Sequence, residues 1–272
     1  MNLLFSINRK FIPLWEQCMA TILRHGGAAH YDLYVLHSDL TGEDGARMQA
    51  ALRPQDSCTL VRVPEGLFEG FPETGRYPVQ IYYRLAAPLL LPEALNRILY
   101  LDVDTVVLNS LEPLYTSDFA GAAFMACSHT DRFLNKVNQA RLGLEDGVRY
   151  LNSGVLMMDL ALLRRTLRLE DIRDYAGRYK NRLILPDQDI LTGLFGDKAL
   201  VLDSRIYNMT DRLYVRCSAL PSERLSLDWV RQNTVVVHYL GKPKPWQKNY
   251  IGPLGVFYQE ELALTRAAAE EA

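Results

Sequence analysis

Short apolar runs of strand type alternate with amphipathic stretches of helical type along most of this chain. Strand patterns at residues 3–7, 31–37 and 58–63 are separated by helical patterns at 13–25 and 42–52. Alternation of this kind is typical of α/β proteins, in which helices cover a mainly parallel sheet. We therefore predict a Rossmann-like mixed sheet flanked by helices, formed as a single domain.

The later patterns extend this architecture to the end of the chain. They predict an apolar strand from Arg97 into an acidic pair, strands at 120–125, 154–158, 198–202 and 234–238, and helices at 81–91, 132–141, 160–167, 170–180, 186–195 and 256–272. Polar stretches at 64–78 and 205–225 are predicted to be loops that contact an acceptor. We expect one domain over residues 1–255, with a nucleotide-binding half at 1–104 and a sugar- and acceptor-binding half at 105–255.

Composition argues against several classes of function. The chain has 272 residues and a formal net charge of -2, whereas general nucleic-acid binding requires a basic surface. No apolar run approaches the ~20 residues that a membrane-spanning helix needs, and the helical tail lacks the basic face of a peripheral anchor. The four cysteines show no Cys-x-x-Cys spacing, which argues against zinc and a disulfide framework. Free thiols are typical of a reducing compartment, so we expect the protein in the cytoplasm.

The most informative motif is the pair Asp102 and Asp104, which follows the apolar run that begins at Arg97. If the strand continues through both acids, their side chains point the same way, because side chains alternate along a strand. Ligands of open α/β sheets bind at the carboxyl ends of the strands. Two carboxylates there suit Mg²⁺ or Mn²⁺ bound together with a substrate phosphate. The alternative is that the two acids cap the following turn.

Two further polar motifs lie downstream. Asn152 and Ser153 precede a glycine and an apolar strand, where they either form a turn or hydrogen-bond the hydroxyl groups of a ligand. Asp187, Gln188 and Asp189 lie at the predicted start of a helix. Acids at that position also stabilise the helix dipole, so this motif has a structural interpretation beside the functional one.

The last motif begins where the strand predicted at 234–238 ends. His238 is either a structural hydrogen-bonding group or a third metal ligand, and an imidazole ligand would favour Mn²⁺ over Mg²⁺. Three of the seven lysines, Lys242, Lys244 and Lys248, follow in one short segment. An ammonium group on a rigid, proline-flanked loop is a common phosphate contact.

Together these motifs resemble the retaining glycosyltransferases of family 8, a group that includes bacterial lipopolysaccharide galactosyltransferases and glycogenin. The resemblance extends from the first strand to about Tyr250. It rests on an ordered set of motifs, namely Tyr83-Arg84-Leu85, the run from Arg97 to Asp104, Asn152-Ser153-Gly154-Val155, Asp187-Gln188-Asp189 and His238-x-x-Gly241-x-x-Lys244-Pro245-Trp246.

The resemblance implies a GT-A fold and the transfer of a hexose, galactose or glucose, from a UDP-sugar. It implies Mn²⁺ as the cofactor, with Mg²⁺ as the alternative. The acceptor would be a glycan or a lipid-linked sugar, as in bacterial lipopolysaccharide biosynthesis, reached from the cytoplasm at the inner membrane face.

The resemblance also assigns roles to individual residues. The metal ligands would be Asp102, Asp104 and His238, and the catalytic residues Gln188 and Asp187. The donor would contact Asn8, Arg84, Val103, Asn152, Ser153, Gly241 and Lys244. An amide is a poor nucleophile, so Gln188 implies a same-face ion-pair route to retention, with attack by Asp187 as the alternative.

The chain departs from the family pattern in two places. Many members have an Asp and an Asn that contact uracil and ribose at positions that here hold Asn8 and Lys10. His129 stands near the position of an acid that often contacts the donor sugar, with Asp131 close by in the sequence. These differences concern the identity of the nucleotide and of the sugar.

Two other functions are weighed against a transferase. A phosphatase of the haloacid dehalogenase type also has an apolar strand that ends in Asp-x-Asp, followed by Thr and an apolar residue, as at Thr105 and Val106 here. Its nucleophile strand usually lies near the N-terminus, whereas Asp102 follows a long α/β stretch. A sugar-nucleotide-binding module without transferase activity is the second alternative, although all three implied metal ligands are present.

Overall fold

A computed structural model describes residues 1–73, 78–219 and 225–270 of the chain. The strands are β1 (Asn2–Ser6), β2 (Asp32–His37), β3 (Ser57–Arg62), β4 (Arg97–Leu101), β5 (Thr105–Val107), β6 (Phe124–Cys127), β7 (Val155–Asp159), β8 (Ala199–Leu202) and β9 (Val236–His238). The α-helices are α1 (Ile12–His25), α2 (Gly42–Ala50), α3 (Ala87–Leu90), α4 (Glu112–Thr116), α5 (Arg132–Leu142), α6 (Leu160–Thr166), α7 (Leu169–Arg178), α8 (Pro186–Phe195), α9 (Ser204–Tyr207), α10 (Asp211–Ala219), α11 (Leu227–Asn233) and α12 (Gly255–Glu270). The chain divides into two compact units.

The first unit comprises Met1–Lys10, His30–Leu101 and Ser117–Leu202. Seven of the described strands form its sheet, in the order β3-β2-β1-β4-β7-β6-β8. Strand β7 is antiparallel to both of its neighbours, and the other pairs are parallel. The interior residues of β1, β4 and β7 are buried and apolar, as is typical of strands covered on both faces. This arrangement confirms the predicted mixed α/β sheet.

An aromatic group occupies part of the core of the first unit. Phe68 packs edge-on against Phe71 with ring centroids 5.1 Å apart, and Phe71 packs against Tyr82 at 5.0 Å. The stretch 64–78, predicted to be a loop, therefore carries buried side chains in its described part. Residues 74–77 lie outside the described residues.

The second unit comprises Phe11–Ala29, Asp102–Thr116 and Asp203–Ala272. Its strands β5 and β9 pair antiparallel, with Thr105 opposite His238. This two-stranded ribbon joins segments that are far apart in the sequence.

A separate apolar core supports the second unit. It includes Met209 and Phe257, both fully buried. Glu261 of α12 accepts hydrogen bonds from Arg24 and from His25 Nε2, the latter at 2.9 Å, and so joins α12 to α1. None of the helices in the described ranges is long and apolar enough to cross a membrane.

Two predictions about local structure are wrong. The strand expected to continue through Asp104 ends at Leu101, and residues 102–104 form a turn. The stretch 205–225, predicted to be a loop, contains part of α9 and all of α10 in its described part; residues 220–224 lie outside that part. Helix α10 buries Leu213 and Cys217, an i, i+4 pair that is the helical signal in this otherwise polar segment.

Other boundaries differ by a few residues or by helix type. The helix predicted at 81–91 is a 3₁₀-helix, Val79–Ala86, followed by the short α3. Pro88 lies in the first turn of α3, where its missing N–H costs no intrahelical bond. The helix predicted at 186–195 is confirmed as α8 with the same bounds.

Candidate active site

The metal-ligand candidates Asp102, Asp104 and His238 lie together within the second unit. The turn between β4 and β5 carries the two acids, and His238 is the last residue of β9. Strand pairing sets Thr105 opposite His238, and the Tyr239 N–H donates to the Asp104 carbonyl at 3.0 Å. The acids therefore meet the histidine through the β5–β9 ribbon, not through the alternation of an extended strand.

The geometry of the three side chains suits a divalent cation. His238 Nε2 lies 3.2 Å from Asp104 Oδ1 and 3.7 Å from Asp102 Oδ2. One ligand atom from each residue lies within 4.8 Å of the other two. Two carboxylate oxygens and one imidazole nitrogen fit Mn²⁺, so the residues present fit the implied ion.

Asn208 sets the orientation of the His238 ring. Its Oδ1 lies 3.0 Å from His238 Nδ1, and both side chains are buried. Because an amide oxygen can only accept, Nδ1 carries the proton. In the neutral ring, the form that binds a metal, the lone pair is then on Nε2, the nitrogen that lies beside the two acids.

Lys244 lies next to the metal-ligand candidates. Its ammonium group donates to Asp104 Oδ2 and to the Tyr239 carbonyl. Burial alone would raise the pKa of the Asp104 carboxyl, but the His238 ring, when its Nε2 is protonated, and the Lys244 ammonium hold that pKa well below its usual range. Asp104 is therefore ionised at neutral pH, the form that can bind a cation. Gly241 precedes Lys244 with φ of 78°, in the left-handed region that favours glycine.

A second group of predicted site residues lies in the first unit, before β7 and at the start of α8. Arg84 is 7% exposed, and its Nη1 donates to the Ser153 carbonyl at 2.8 Å. Arg84 Nε lies 3.5 Å from Asp187 Oδ2, which also accepts from Ser153 Oγ at 2.6 Å. The guanidinium group stacks over the Tyr100 ring at 4.4 Å. A cation and a hydroxyl group thus hold the Asp187 carboxylate.

Gln188 is held by the same loop. Its Oε1 accepts from Asn152 Nδ2 at 2.7 Å and from the Ser153 N–H at 3.3 Å. Asn152 Oδ1 in turn accepts from the Gly154 N–H at 3.1 Å. Asn152 therefore closes the turn before β7 and also orients Gln188, so its structural and functional interpretations are compatible.

The remaining predicted residues have more local settings. Asn8 Oδ1 accepts from the Lys10 N–H at 3.1 Å, which closes a turn after β1. Val103 is half-buried in the turn between the two acids, and His129 is half-buried in the segment after β6. Asp131 is the N-cap of α5 and accepts a backbone N–H of that helix.

Four residues that hold the site residues were not among the predicted ones: Asn208, which contacts His238, and Tyr150, Asp189 and Arg141, which form a chain of hydrogen bonds that begins at Gln188. Asp189 belongs to a motif that was singled out, but no role followed from the sequence. Its partner Arg141 is 48 positions away, so the pair could not be read from local spacing. Asn208 lies in the stretch that was predicted to be a loop, and no sequence motif identifies it as a site residue.

The fold as a whole is similar to that of known sugar transferases. The galactosyltransferase LgtC, solved in complex with donor and acceptor sugar analogues, is 26% identical, with a TM-score of 0.82 over 97% of this chain and 95% of that chain. The lipopolysaccharide 1,2-glucosyltransferase of Escherichia coli K12 is 25% identical over 95% of this chain and 76% of that protein. The lipopolysaccharide 1,3-galactosyltransferase of Salmonella typhimurium is 22% identical over 94% of this chain and 76% of that protein.

The mixed sheet and these similarities define a glycosyltransferase of GT-A fold. The model of glycosyl transferase family 8 matches residues 2–250, nearly the whole chain, and the chain belongs to that family. The phosphatase alternative is thereby set aside.

Proposed function

We propose that this chain transfers a hexose, galactose or glucose, from a UDP-sugar to a hydroxyl group of a glycan acceptor. The anomeric configuration is retained, and Mn²⁺ is the cofactor. The observation that carries the proposal is the meeting of Asp102, Asp104 and His238 at one point, with Lys244 beside them. In a family of glycosyltransferases, such a group has the ligand types for a cation that binds a diphosphate.

Asp102, Asp104 and His238 would hold Mn²⁺, with Mg²⁺ as the alternative. When bound, the ion would neutralise the negative charge that develops on the leaving diphosphate. The Lys244 ammonium would add a second positive charge at a phosphate oxygen. The backbone at Gly241, free of a side chain, would allow close approach of the donor.

Five residues of the first unit are assigned to the sugar. Arg84, Asn152 and Ser153 would hold the donor through hydrogen bonds, and Gln188 with Asp187 would face the anomeric carbon. Their mutual hydrogen bonds fix these side chains before a substrate binds, which lowers the cost of orienting the reacting groups.

The contacts of Asp187 favour the same-face route over a covalent one. A carboxylate that already accepts from Ser153 Oγ and lies against the Arg84 guanidinium is stabilised as an anion and is a weak nucleophile. Gln188 would stabilise positive charge at the sugar, and the leaving phosphate would take the proton of the acceptor hydroxyl.

We propose further residues that contact the donor, and a chemical class for the acceptor. Asn8, Val103 and residues of the 1–104 half would contact the nucleotide, and His129 the sugar. The Escherichia coli and Salmonella typhimurium relatives are named as lipopolysaccharide transferases, and we propose a glycan or lipid-linked sugar of that kind as acceptor.

A screen of UDP-sugars tests the proposal. With Mn²⁺ and water as acceptor, the chain should slowly release UDP from one UDP-hexose. Asp104→Asn should abolish this release and the Mn²⁺-dependent rise in melting temperature with UDP. Asp228→Asn, a change to an exposed acid at the start of α11, is the matched control and should alter neither.

Release from none of the UDP-sugars, with a rise in melting temperature by UDP and Mn²⁺, would instead indicate a binding module. Release that Asp104→Asn leaves unchanged would contradict the metal assignment.

A further inference from the structure

Asp189, beside the proposed catalytic Gln188, is a carboxylate with hydrogen-bond donors on both of its oxygens. Asp189 is 0% exposed. Its Oδ2 accepts from Arg141 Nη1 at 2.7 Å and from the backbone N–H groups of Ile184 at 2.6 Å and Leu185 at 3.2 Å. Its Oδ1 accepts from Arg141 Nη2 at 2.7 Å. The carboxylate thus secures the segment that leads into α8.

Arg141 is itself fixed from the other side. Its Nη1 also donates to the Arg182 carbonyl at 2.6 Å, and its Nη2 donates to Asn138 Oδ1 at 2.9 Å. A bidentate guanidinium–carboxylate pair with further partners on both members has little freedom to move. The Arg141–Asp189 pair is therefore a rigid support.

Tyr150 connects this support to Gln188. Its hydroxyl donates to Asp189 Oδ1 at 2.6 Å, and Gln188 Nε2 lies 3.5 Å from the same hydroxyl oxygen. Because the Tyr150 proton points to the carboxylate, the phenolic oxygen presents a lone pair to the Gln188 amide. Burial and the Asp189 charge raise the pKa of Tyr150, so it remains protonated over the neutral range.

We propose that Tyr150, held by the Arg141–Asp189 pair, is a positioning residue that fixes the side-chain amide of Gln188 for the transfer reaction. This inference rests on the proposed function. Asn152 and Ser153 hold the oxygen of the amide, and Tyr150 holds its nitrogen. With partners at both ends, a rotation that exchanges the oxygen and nitrogen of the amide would break all of these contacts.

The variant Tyr150→Phe removes the hydroxyl group and keeps the ring. Tyr175→Phe is the matched control, because that hydroxyl also makes a hydrogen bond inside the first unit, to the Leu142 carbonyl at 3.1 Å, but does not contact Gln188. We expect Tyr150→Phe to lower kcat for UDP-hexose hydrolysis by about ten- to a hundredfold, since small misplacements of reacting groups cost that much. KM should change less than twofold, and kcat is expressed per folded enzyme, because loss of folded protein also lowers the apparent kcat without changing KM.

A double variant tests whether Tyr150 acts through Gln188. In a Gln188→Ala background, Tyr150→Phe should cause no further loss of kcat. A full additional loss there would overturn the proposal, as would a Tyr150→Phe enzyme with the kcat of Tyr175→Phe.

A spectroscopic readout separates this inference from the proposed function. The side-chain NH₂ resonance of Gln188, assigned by its absence in Gln188→Ala, should shift in Tyr150→Phe and stay unchanged in Tyr175→Phe. An unshifted resonance overturns the positioning role even where hydrolysis is normal. If no UDP-sugar is hydrolysed at all, the proposed function fails, and the resonance still decides whether Tyr150 fixes the amide.

Discussion

Replacing Asn208 by Ala tests how the second unit prepares His238 for a metal. The variant removes the acceptor that lies 3.0 Å from His238 Nδ1. His238 is 1% exposed, so Nδ1 is left buried without that partner, at a cost of about 1–3 kcal/mol. Loss of such an outer partner typically lowers metal affinity by about 10- to 100-fold, or roughly 1.4–2.8 kcal/mol of binding free energy.

Two measurements are needed, because the unpaired Nδ1 lowers the stability of the fold whereas the altered ring lowers the affinity for the metal. Urea unfolding gives the free energy of unfolding, and electron paramagnetic resonance of free Mn²⁺ in the presence of UDP gives the Kd. Asn208→Asp keeps an acceptor for the Nδ1 proton and should retain Mn²⁺ affinity within a few-fold of the unchanged chain.

The control is Asn109→Ala in the same unit. Asn109 donates to the carbonyls of Arg231 at 3.0 Å and Thr234 at 2.7 Å, away from the metal-ligand candidates. Asn109→Ala should lower the free energy of unfolding without changing the Kd for Mn²⁺. Equal Mn²⁺ affinity in Asn208→Ala and Asn109→Ala would refute the claim that Asn208 prepares His238.

Two further predictions concern charged groups. Lys244→Ala should weaken UDP binding in the presence of Mn²⁺ by about tenfold or more. Its effect on folding should be small, because the half-buried pair with Asp104 contributes only about 1 kcal/mol. A UDP titration that shows unchanged affinity would place Lys244 in an ordinary surface loop. Asp56 is 3% exposed, and although burial raises its pKa, bonds from Arg53 and the Tyr31 N–H lower it overall. A carboxyl with a lowered pKa stabilises the fold at pH values above its ordinary pKa, and this stabilisation is lost as the pH falls through the lowered pKa. The difference in free energy of unfolding between the unchanged chain and Asp56→Asn should therefore be full at about pH 7 and shrink below about pH 4. A difference that is constant with pH in urea unfolding would contradict this.

The elements that local pattern defines could be predicted from the sequence. Strands β1, β2 and β4 have continuous apolar runs, and α8 starts with Pro and acids and is followed by Gly196. Thr41, a residue type that favours the N-cap, forms a capping box with Asp44 at the start of α2. In each case the residues that decide the element lie within a few positions of one another.

What could not be predicted depends on pairing between distant segments. The β5–β9 ribbon that brings His238 to Asp104 joins two three-residue strands, too short to show a period. The Arg141–Asp189 pair and the Asn208–His238 contact likewise join side chains whose spacing carries no signal. The motifs therefore identified the residues of the candidate site, whereas the partners that hold them emerged only from the fold.

We propose above all that this chain is a metal-dependent, retaining transferase of a UDP-linked hexose. Proton NMR of a UDP-α-hexose incubated with the chain and Mn²⁺ tests it most directly, because one spectrum reports donor consumption and the configuration of the first sugar released. We predict that the donor is consumed only with the metal and that the α-hexose appears first, before mutarotation. First release of the β-hexose would rule out a retaining mechanism, and equal consumption with and without Mn²⁺ would rule out metal dependence.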